Sequence, residues 1–249
     1  MNKYLALGAL FIVFVFSWIV WPTAGVPILA YHQVSEEDDI YSVTASQFED
    51  QMKYLQENGY HAISLEDLFK SYQGQGKLPE KPVVITFDDG YEDNYLTALP
   101  IMEKYSMRAT VFVVPSLVGT TEYLSWQQVS ALEERHTEIG SHTMSHIALN
   151  EISPEEQRHE IEDSKTVLQQ HIGKPVVFFA YPYGQFTGTT EQILREAGYQ
   201  GACSGVAGLN RSSTDVFALK RVNVPHPKYG LWEFRLRLFR AHLYSKLGL

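Results

Sequence analysis

The sequence predicts an α/β protein, a distorted (β/α) barrel of about seven strands that forms a single catalytic domain. From residue 25 onward, short apolar runs alternate with amphipathic segments, which indicates strands that alternate with helices. The runs are continuously apolar, as is typical of a parallel sheet covered by helices. A chain of 249 residues without an internal repeat fits one domain. The same alternation also allows a doubly wound sheet.

The predicted strands are apolar runs that end at polar or turn residues. Seven or eight can be counted, a number that fits a complete or distorted barrel. They cover residues 27–31, 62–63, 83–87, 109–114, 138–142, 176–181, 200–203 and 217–222. In such a barrel, the chemistry gathers at the carboxyl ends of the strands.

The predicted helices are marked by their capping residues. Thr44 and Ser125 each stand three residues before a glutamine, as in a capping box, and Ser64 opens another helix. Ser153 is followed by a proline and then by Glu156, which is a strong helix start. Two further helical patterns cover 91–105, where Pro100 interrupts the pattern, and 189–197.

The first 24 residues are interpreted as a targeting segment, which leaves residues 25–249 for the catalytic domain. Lys3 precedes an uncharged run of about 17 residues, 5–21, at the lower edge of the length that crosses a membrane. Trp18 and Trp21 stand where an interfacial aromatic belt would lie. We favour an uncleaved signal anchor over a cleaved signal peptide. Either way, the domain is expected outside the cytoplasm, membrane-anchored or secreted.

Charge and cysteine content argue against a nucleic-acid-binding protein and against a protein held together by disulfides or cysteine-bound zinc. The net charge is −9, whereas nucleic-acid binding needs a basic face, so no nucleic-acid partner is expected. Cys203 is the single cysteine, which excludes an internal disulfide and a cysteine-based zinc site. We interpret Cys203 as a small buried residue in a strand. We expect the protein to be a monomer.

The C-terminal stretch, about 229–246, is predicted to be a basic amphipathic helix rich in aromatic residues. A terminal helix of this kind most often packs against its own domain. A position on an anionic membrane surface is the alternative.

Two adjacent carboxylates, Asp88 and Asp89, follow the predicted strand 83–87. Two ionised carboxylates side by side are costly unless a cation or a shared proton compensates them. Neighbouring side chains of a regular strand point to opposite faces, so both can enter one site only if the strand ends near Phe87. Gly90 would allow the necessary turn. An ordinary Asp-Asp-Gly surface turn is the alternative.

Two histidines, His142 and His146, follow a later strand. Their spacing predicts that one short helical turn aims both imidazoles at one ion. One aspartate with two histidines makes a metal site with open positions, and the other aspartate is then free to act as a base. Either histidine alone would more often be a packed or surface residue.

Three motifs together carry a family resemblance: Thr-Phe-Asp-Asp-Gly at 86–90, Ser-His-Thr-Met-Ser-His at 141–146 and Tyr-Pro-Tyr-Gly at 181–184. In this order they resemble the polysaccharide deacetylases of carbohydrate esterase family 4, the NodB homology domain. The resemblance covers roughly residues 80–205 by motif and 26–225 by topology. It implies a hydrolase that removes N-acetyl groups from a polysaccharide.

Within this family, the chain resembles the biofilm-associated poly-β-1,6-N-acetylglucosamine N-deacetylases. Most of the family carries an arginine two residues before the proline of the third motif, where it orients the base, and this chain has Ala180 there. The early stretch Ile-Leu-Ala-Tyr-His at 28–32 is similar to the Tyr-His of that branch. The resemblance implies that His32 replaces the general acid that other members carry near the C-terminus.

The resemblance also implies a role for each site residue. Asp88 takes a proton from a metal-bound water, which then attacks the acetamido carbonyl. The backbone N–H of Tyr183 stabilises the oxyanion, and His32 protonates the departing amine. The implied metal ligands are Asp89, His142 and His146.

The sequence does not determine which metal is bound or which histidine is the general acid. Zinc is the first expectation, and cobalt, nickel, iron or manganese also suit the ligands. His226, which stands between two prolines, competes with His32 as the acid. Without an arginine at position 180, Asp88 is expected to lack a fixed charge partner and to be loosely oriented.

The substrate is also open. The leading interpretation is an N-acetylated polysaccharide, poly-β-1,6-N-acetyl-D-glucosamine of a biofilm matrix. The alternatives are a deacetylase of chitin oligomers or peptidoglycan, and a catalytically silent glycan-binding module. An Fe(II) oxygenase shares the ligand set, but it would need a jelly-roll strand pattern in place of alternating strands and helices.

Overall fold

Eight parallel strands organise the computed structural model, which describes residues 24–37 and 39–248. They are β1 (Ile28–Tyr31), β2 (His61–Ala62), β3 (Pro82–Phe87), β4 (Thr110–Val113), β5 (Glu138–Ser141), β6 (Phe178–Ala180), β7 (Gly201–Ala207) and β8 (Leu219–Asn223). Residues 1–23 of the predicted targeting segment lie outside the described residues. Within them, no helix combines the length and the apolar character needed to cross a membrane.

Seven of these strands close into a barrel. Strands β3 to β8 pair in sequence, β8 pairs with β1, and β1 pairs with β3, which completes the circle. The short strand β2 pairs only with the start of β3. This architecture confirms the distorted (β/α) barrel and excludes the doubly wound sheet. Because all pairs are parallel, the carboxyl ends of the strands meet at one mouth of the barrel.

Seven α-helices accompany the barrel in the described part of the chain. They are α1 (Ala45–Glu57), α2 (Leu65–Tyr72), α3 (Leu99–Lys104), α4 (Trp126–Glu134), α5 (Pro154–Ile172), α6 (Gly188–Glu196) and α7 (Leu231–Leu247). The capping boxes predicted at Thr44, Ser125 and Ser153 are present, and Ser64 caps α2 in the same way. In each, a side-chain oxygen accepts a hydrogen bond from a backbone N–H that would otherwise lack a partner.

The prediction of one helix over residues 91–105 needs correction. The chain first forms a single π-helical turn, Asn94–Ala98, and becomes α-helical only at Leu99. Pro100 has no backbone N–H, and its ring crowds the carbonyl four residues earlier. Widening the preceding turn to a five-residue repeat relieves that crowding.

Alternate residues of the strands face two apolar clusters. One contains Phe112, Phe178 and Cys203, and the other joins the opposite strand faces to the helices. Gly140 is required in the first cluster, because a Cβ at this position would lie 2.4 Å from the Phe112 ring. Cys203 is fully buried, as the sequence predicted. Its burial raises the pKa of the thiol to about 12.

At the opposite end of the barrel from the mouth, the carboxyl group of Glu138 is held at the start of β5. It accepts hydrogen bonds from Thr110 Oγ1 at 2.7 Å and from the Leu65 backbone N–H at 3.1 Å. Burial raises its pKa to about 7 from an ordinary value of 4.5. The folded state therefore favours the protonated carboxyl of Glu138. The contribution of this carboxyl to the free energy of unfolding is complete below its ordinary pKa of 4.5 and is lost as the pH rises through about 7.

Glu138→Gln is expected to be more stable than the wild type at about pH 8, by about 3 kcal/mol, and nearly equal to it at about pH 4. The glutamine keeps an acceptor oxygen but never carries the charge. Urea unfolding of both proteins at the two pH values measures the difference, in which all other titrating groups cancel. A difference that does not change with pH would contradict the assignment.

Candidate active site

The two adjacent carboxylates reach the barrel mouth because β3 ends at Phe87, as the sequence predicted. Asp89 and Gly90 follow with φ of 73° and 79°, both in the left-handed region. The Gly90 N–H donates to the Asp88 carbonyl at 3.0 Å and closes the turn. Breaking the strand here removes the alternation that would have pointed one carboxylate away from the site.

The segment 141–146 forms an irregular turn, so the predicted helical turn for the two histidines is wrong. Thr143 and His146 have φ of 64° and 59°, which a right-handed α-helix does not allow. Glu160 of α5 holds the turn, because its carboxylate accepts from the Ser145 N–H at 2.9 Å and from the Ser145 hydroxyl at 2.6 Å. The Thr143 hydroxyl accepts from the His146 N–H at 2.9 Å. These side-chain bonds compete successfully with a helix.

Asp89, His142 and His146 meet at the barrel mouth. The Asp89 Oδ1 atom lies 3.1 Å from His146 Nε2 and 3.5 Å from His142 Nε2. One ligand atom from each residue lies within 4.8 Å of the other two. The three side chains are therefore positioned to bind a single metal ion.

The donor chemistry of the cluster fits a cation. Asp89 Oδ1 is buried and receives no hydrogen bond of acceptable geometry from the described residues. His142 Nδ1 lies 2.7 Å from the Ala180 carbonyl oxygen, which can only accept, so Nδ1 carries the proton and Nε2 presents its lone pair. Burial lowers the pKa of His142 and keeps the ring neutral, as a ligand must be.

Asp88 is held by an arginine that the sequence analysis missed. Arg221 of β8 is only 5% exposed, and its Nη1 donates to Asp88 Oδ1 at 2.7 Å. Its Nε donates to the Ser204 carbonyl at 3.1 Å, which fixes the plane of the guanidinium. The expectation that Asp88 lacks a charge partner is therefore wrong. Strands β8 and β3 both flank β1, so a long side chain from β8 replaces an arginine at position 180.

This environment keeps Asp88 ionised. Burial opposes ionisation, but the positive charge of Arg221, with smaller contributions from His142 and His32, outweighs it. The pKa of Asp88 is therefore held well below its usual range. The carboxylate is present as a proton acceptor throughout the physiological pH range.

His32 lies beside Asp88, directly after β1. Its Nε2 is 3.9 Å from Asp88 Oδ2, and its side chain is partly exposed. The imidazole packs against the Tyr41 ring, with 4.8 Å between ring centroids. His32 can therefore reach both the carboxylate and a molecule that enters the mouth.

His226 contacts the loop before α1. Its Nδ1 lies 3.0 Å from the Ser42 carbonyl oxygen, and its backbone N–H donates to the Ile40 carbonyl at 2.8 Å. These contacts hold the loop that carries Tyr41, the residue that packs on His32. The structure thus brings His32 to Asp88 and gives His226 a supporting position.

Tyr183 follows β6 in a tight turn, Pro182–Gly184, with φ of 58°. The turn packs closely on β7, since a Cβ on Gly184 would lie 2.3 Å from the Gly205 Cα. The Tyr183 side chain is 66% exposed, and its ring lies 4.9 Å from the His146 ring. A cleft of about 540 Å³ opens beside these two rings and is also lined by Ile147, Glu151 and Gln185.

Comparisons with known proteins give evidence that is independent of the site geometry. Residues 75–202 match the family model described as polysaccharide deacetylase. The protein YxkH of Bacillus subtilis (strain 168) is 33% identical over 201 residues, which cover 81% of this chain and 72% of YxkH. The solved structure of the Streptococcus pyogenes deacetylase PplD in complex with acetate aligns with a TM-score of 0.79 at 26% identity, covering 89% of this chain and 99% of that one.

The name of a second relative includes the polymer on which that relative acts. The poly-beta-1,6-N-acetyl-D-glucosamine N-deacetylase of Escherichia coli (strain K12) is 28% identical over 239 residues. The match covers 78% of this chain but only 36% of that protein. This chain therefore corresponds to little more than a third of the larger relative.

Proposed function

We propose, because the chain belongs to the polysaccharide deacetylase family and is a hydrolase of N-acetyl amide bonds, that its substrate is poly-β-1,6-N-acetyl-D-glucosamine. The observation that carries the catalytic proposal is the pairing of an Asp-His-His cluster with a second carboxylate that Arg221 holds ionised. The similarity to the Escherichia coli N-deacetylase supports the polymer. We further propose that the protein works outside the cytoplasm as a membrane-anchored monomer.

The metal would be held by Asp89, His142 and His146. A divalent cation there, with zinc as the first expectation, would polarise the acetyl carbonyl and lower the pKa of a water molecule toward ~7. Ala180 supports the cluster through its carbonyl, which accepts the Nδ1 proton of His142 and fixes the ring orientation.

Asp88 acts as the general base in this proposal. It takes a proton from the attacking water, and the bond from Arg221 keeps its carboxylate aimed at the site. A positioned base contributes about 10²–10⁴-fold to the rate. The low pKa of Asp88 means that the base is already deprotonated when substrate arrives.

His32 and Tyr183 act on the two sides of the scissile amide. His32, protonated on its ring, donates to the departing amine, which is a poor leaving group unless it is protonated. The Tyr183 N–H donates to the oxyanion, and one such donor contributes about 3–4 kcal/mol.

His32→Ala is expected to lower kcat by about 10²–10³-fold while metal affinity stays within about twofold, because the acid lies outside the ligand cluster. His226→Ala is the matched control, because the hydrogen bonds of this histidine go to the loop before α1. It should retain at least about a third of wild-type activity. An inactive His226→Ala beside an active His32→Ala would reverse the assignment of the acid.

The substrate proposal is tested with defined oligomers. The metal-loaded protein is incubated with β-1,6-linked and β-1,4-linked N-acetylglucosamine oligomers of equal length, and released acetate is measured. We expect a higher kcat/KM on the β-1,6 series by about tenfold or more. A preference for the β-1,4 series would favour chitin oligomers or peptidoglycan, with the same chemistry on a different polymer.

A further inference from the structure

Helix α7 carries two apolar stripes on opposite faces. The inner stripe, with Phe234, Leu238 and Ala241, is buried against the domain, where α7 contacts α1 and β8. The outer stripe follows the helical spacing i, i+4, i+7, i+11 and i+15, so its members share one face. It consists of Trp232, Leu236, Phe239, Leu243 and Leu247. A helix that only packs against its own domain needs the inner stripe alone.

Three members of the outer stripe, Trp232, Phe239 and Leu247, are exposed, and Leu236 and Leu243 are half-buried. Trp232 is 62% exposed and Phe239 is 40% exposed, and both line a groove of about 530 Å³ with Tyr54 of α1. A contiguous apolar patch of this kind on a solvent-exposed surface marks an interaction site.

Basic side chains border the outer stripe on both sides. At 100° per residue, Arg235 lies on one edge and Arg240 on the other, with the apolar residues between them. The guanidinium of Arg235 lies 5.6 Å from the Tyr54 ring, and Arg240 donates to the Tyr244 hydroxyl at 2.6 Å. Basic edges on an apolar stripe are unusual in a chain whose net charge is −9. They complement an anionic surface and would repel the same edges of a second copy.

The first described residue, which closely follows the predicted targeting run in sequence, lies close to this helix. Arg211 donates through Nε to the Ala24 carbonyl at 2.9 Å and through Nη2 to the Ser245 carbonyl at 3.4 Å. Ala24 is the first described residue, and Ser245 lies in the last turn of α7. The described chain therefore begins beside the C-terminal end of α7, three positions after the uncharged run 5–21 in sequence.

We infer that the outer stripe of α7 is a membrane-contact surface, which lies on the headgroups of an anionic lipid bilayer. The stripe buries its apolar side chains at the boundary of the acyl region, and Arg235 and Arg240 reach the lipid phosphates. The domain then lies on its side against the membrane. None of the residues of the outer stripe lines the cleft beside Tyr183 and His146, so the inference does not rest on the polymer or on the catalytic roles.

The test uses the full chain in vesicles with an environment-sensitive fluorophore on a cysteine introduced by Phe239→Cys. The native Cys203 is buried and stays unlabelled. Glu155→Cys, at an exposed position in the first turn of α5, is the matched label site. Each labelled protein is reconstituted in phosphatidylcholine alone and in phosphatidylcholine with phosphatidylglycerol. Quenching by aqueous iodide and by lipids with a shallow nitroxide is then measured.

With phosphatidylglycerol, the label at 239 should be quenched by the shallow lipid nitroxide and protected from iodide, whereas the label at 155 stays open to iodide. Arg235→Gln with Arg240→Gln should lower the ratio of docked to undocked helix by about 30-fold, because each basic residue near an anionic surface contributes about 1 kcal/mol. Lys70→Gln with Lys77→Gln removes the same charge elsewhere and should leave the ratio unchanged.

Three results would overturn the inference. Equal iodide access at 239 and 155 in anionic vesicles would show that the stripe stays in water. Protection that is the same in both lipids and insensitive to the arginine changes would show that another segment of the chain covers the stripe. Protection that grows with the protein-to-lipid ratio would indicate a second copy.

Discussion

Arg221→Met is expected to lower kcat by about 10²–10³-fold, because Asp88 loses both its hydrogen-bond donor and its fixed positive charge. The methionine fills similar space but leaves a buried carboxylate without its partner, which costs about 3–5 kcal/mol of stability. The effect should appear mainly in kcat, since Arg221 lies behind the base and is almost fully buried.

The pH dependence separates this role from a merely structural one. In the wild type, the charge of Arg221 is the largest influence that lowers the pKa of Asp88, while burial raises it. In Arg221→Met the positive charge is gone while the Asp88 carboxylate is still buried, so the pKa of Asp88 rises. The acidic limb of the kcat/KM profile should therefore move to higher pH by at least about one unit, and activity should partly recover as the pH is raised.

Two further variants make the measurement decisive. Arg221→Lys keeps the charge but cannot bond both Asp88 and the Ser204 carbonyl, so it should fold well and show an intermediate loss of kcat. Arg195→Met removes an exposed arginine that pairs with Asp215, and it should behave as the wild type. An acidic limb in Arg221→Met that matches the wild type would contradict the role assigned to this residue.

Asp89→Asn is expected to weaken metal binding by at least about 100-fold and to abolish acetate release at ordinary metal concentrations. The amide lacks the negative charge that the two imidazoles cannot supply. Metal content after dialysis and calorimetric titration with Zn²⁺ measure the affinity directly, without reference to activity.

Asp163→Asn is the matched control for this change. Asp163 also faces a histidine, with 3.6 Å between its Oδ2 and His159 Nδ1, but the pair is exposed on α5. Its loss should leave the metal affinity within about twofold of the wild type. Metal binding that survives in Asp89→Asn would move the ion away from the Asp89-His142-His146 cluster.

The fold and the metal cluster could be predicted because their causes are local. A continuous apolar run that stops at Phe87 before Asp-Asp-Gly predicts both a buried strand and its end, since two carboxylates cannot continue inside the barrel wall. The same holds for the helix starts at Thr44 and Ser153, whose side chains make the capping bonds within four residues. Because the strands are parallel, their carboxyl ends bring the separate motifs to the same mouth of the barrel.

The partner of Asp88 could not be deduced in the same way, because the contact joins residues 133 positions apart. A signal was present nonetheless. Arg221 stands two residues after Leu219 in the last apolar strand, so it occupies the same face as a core residue. A lone arginine at a core-facing position needs a buried anion, and the two carboxylates after β3 were the candidates. The turn at 141–146 escaped prediction because Glu160, which holds it, lies on another helix.

The central claim, that this barrel is a working N-deacetylase, is tested most directly by acetate release from a β-1,6-linked N-acetylglucosamine oligomer. The metal-loaded wild type and Asp88→Asn are compared, with oligomer mass followed in parallel. We expect the wild type to release one acetate for each free amine formed, and Asp88→Asn to bind metal equally but to release acetate about 10²–10⁴-fold more slowly. A folded, metal-loaded wild type that binds N-acetylated oligomers and releases no acetate from any of them would contradict the account and indicate a glycan-binding module.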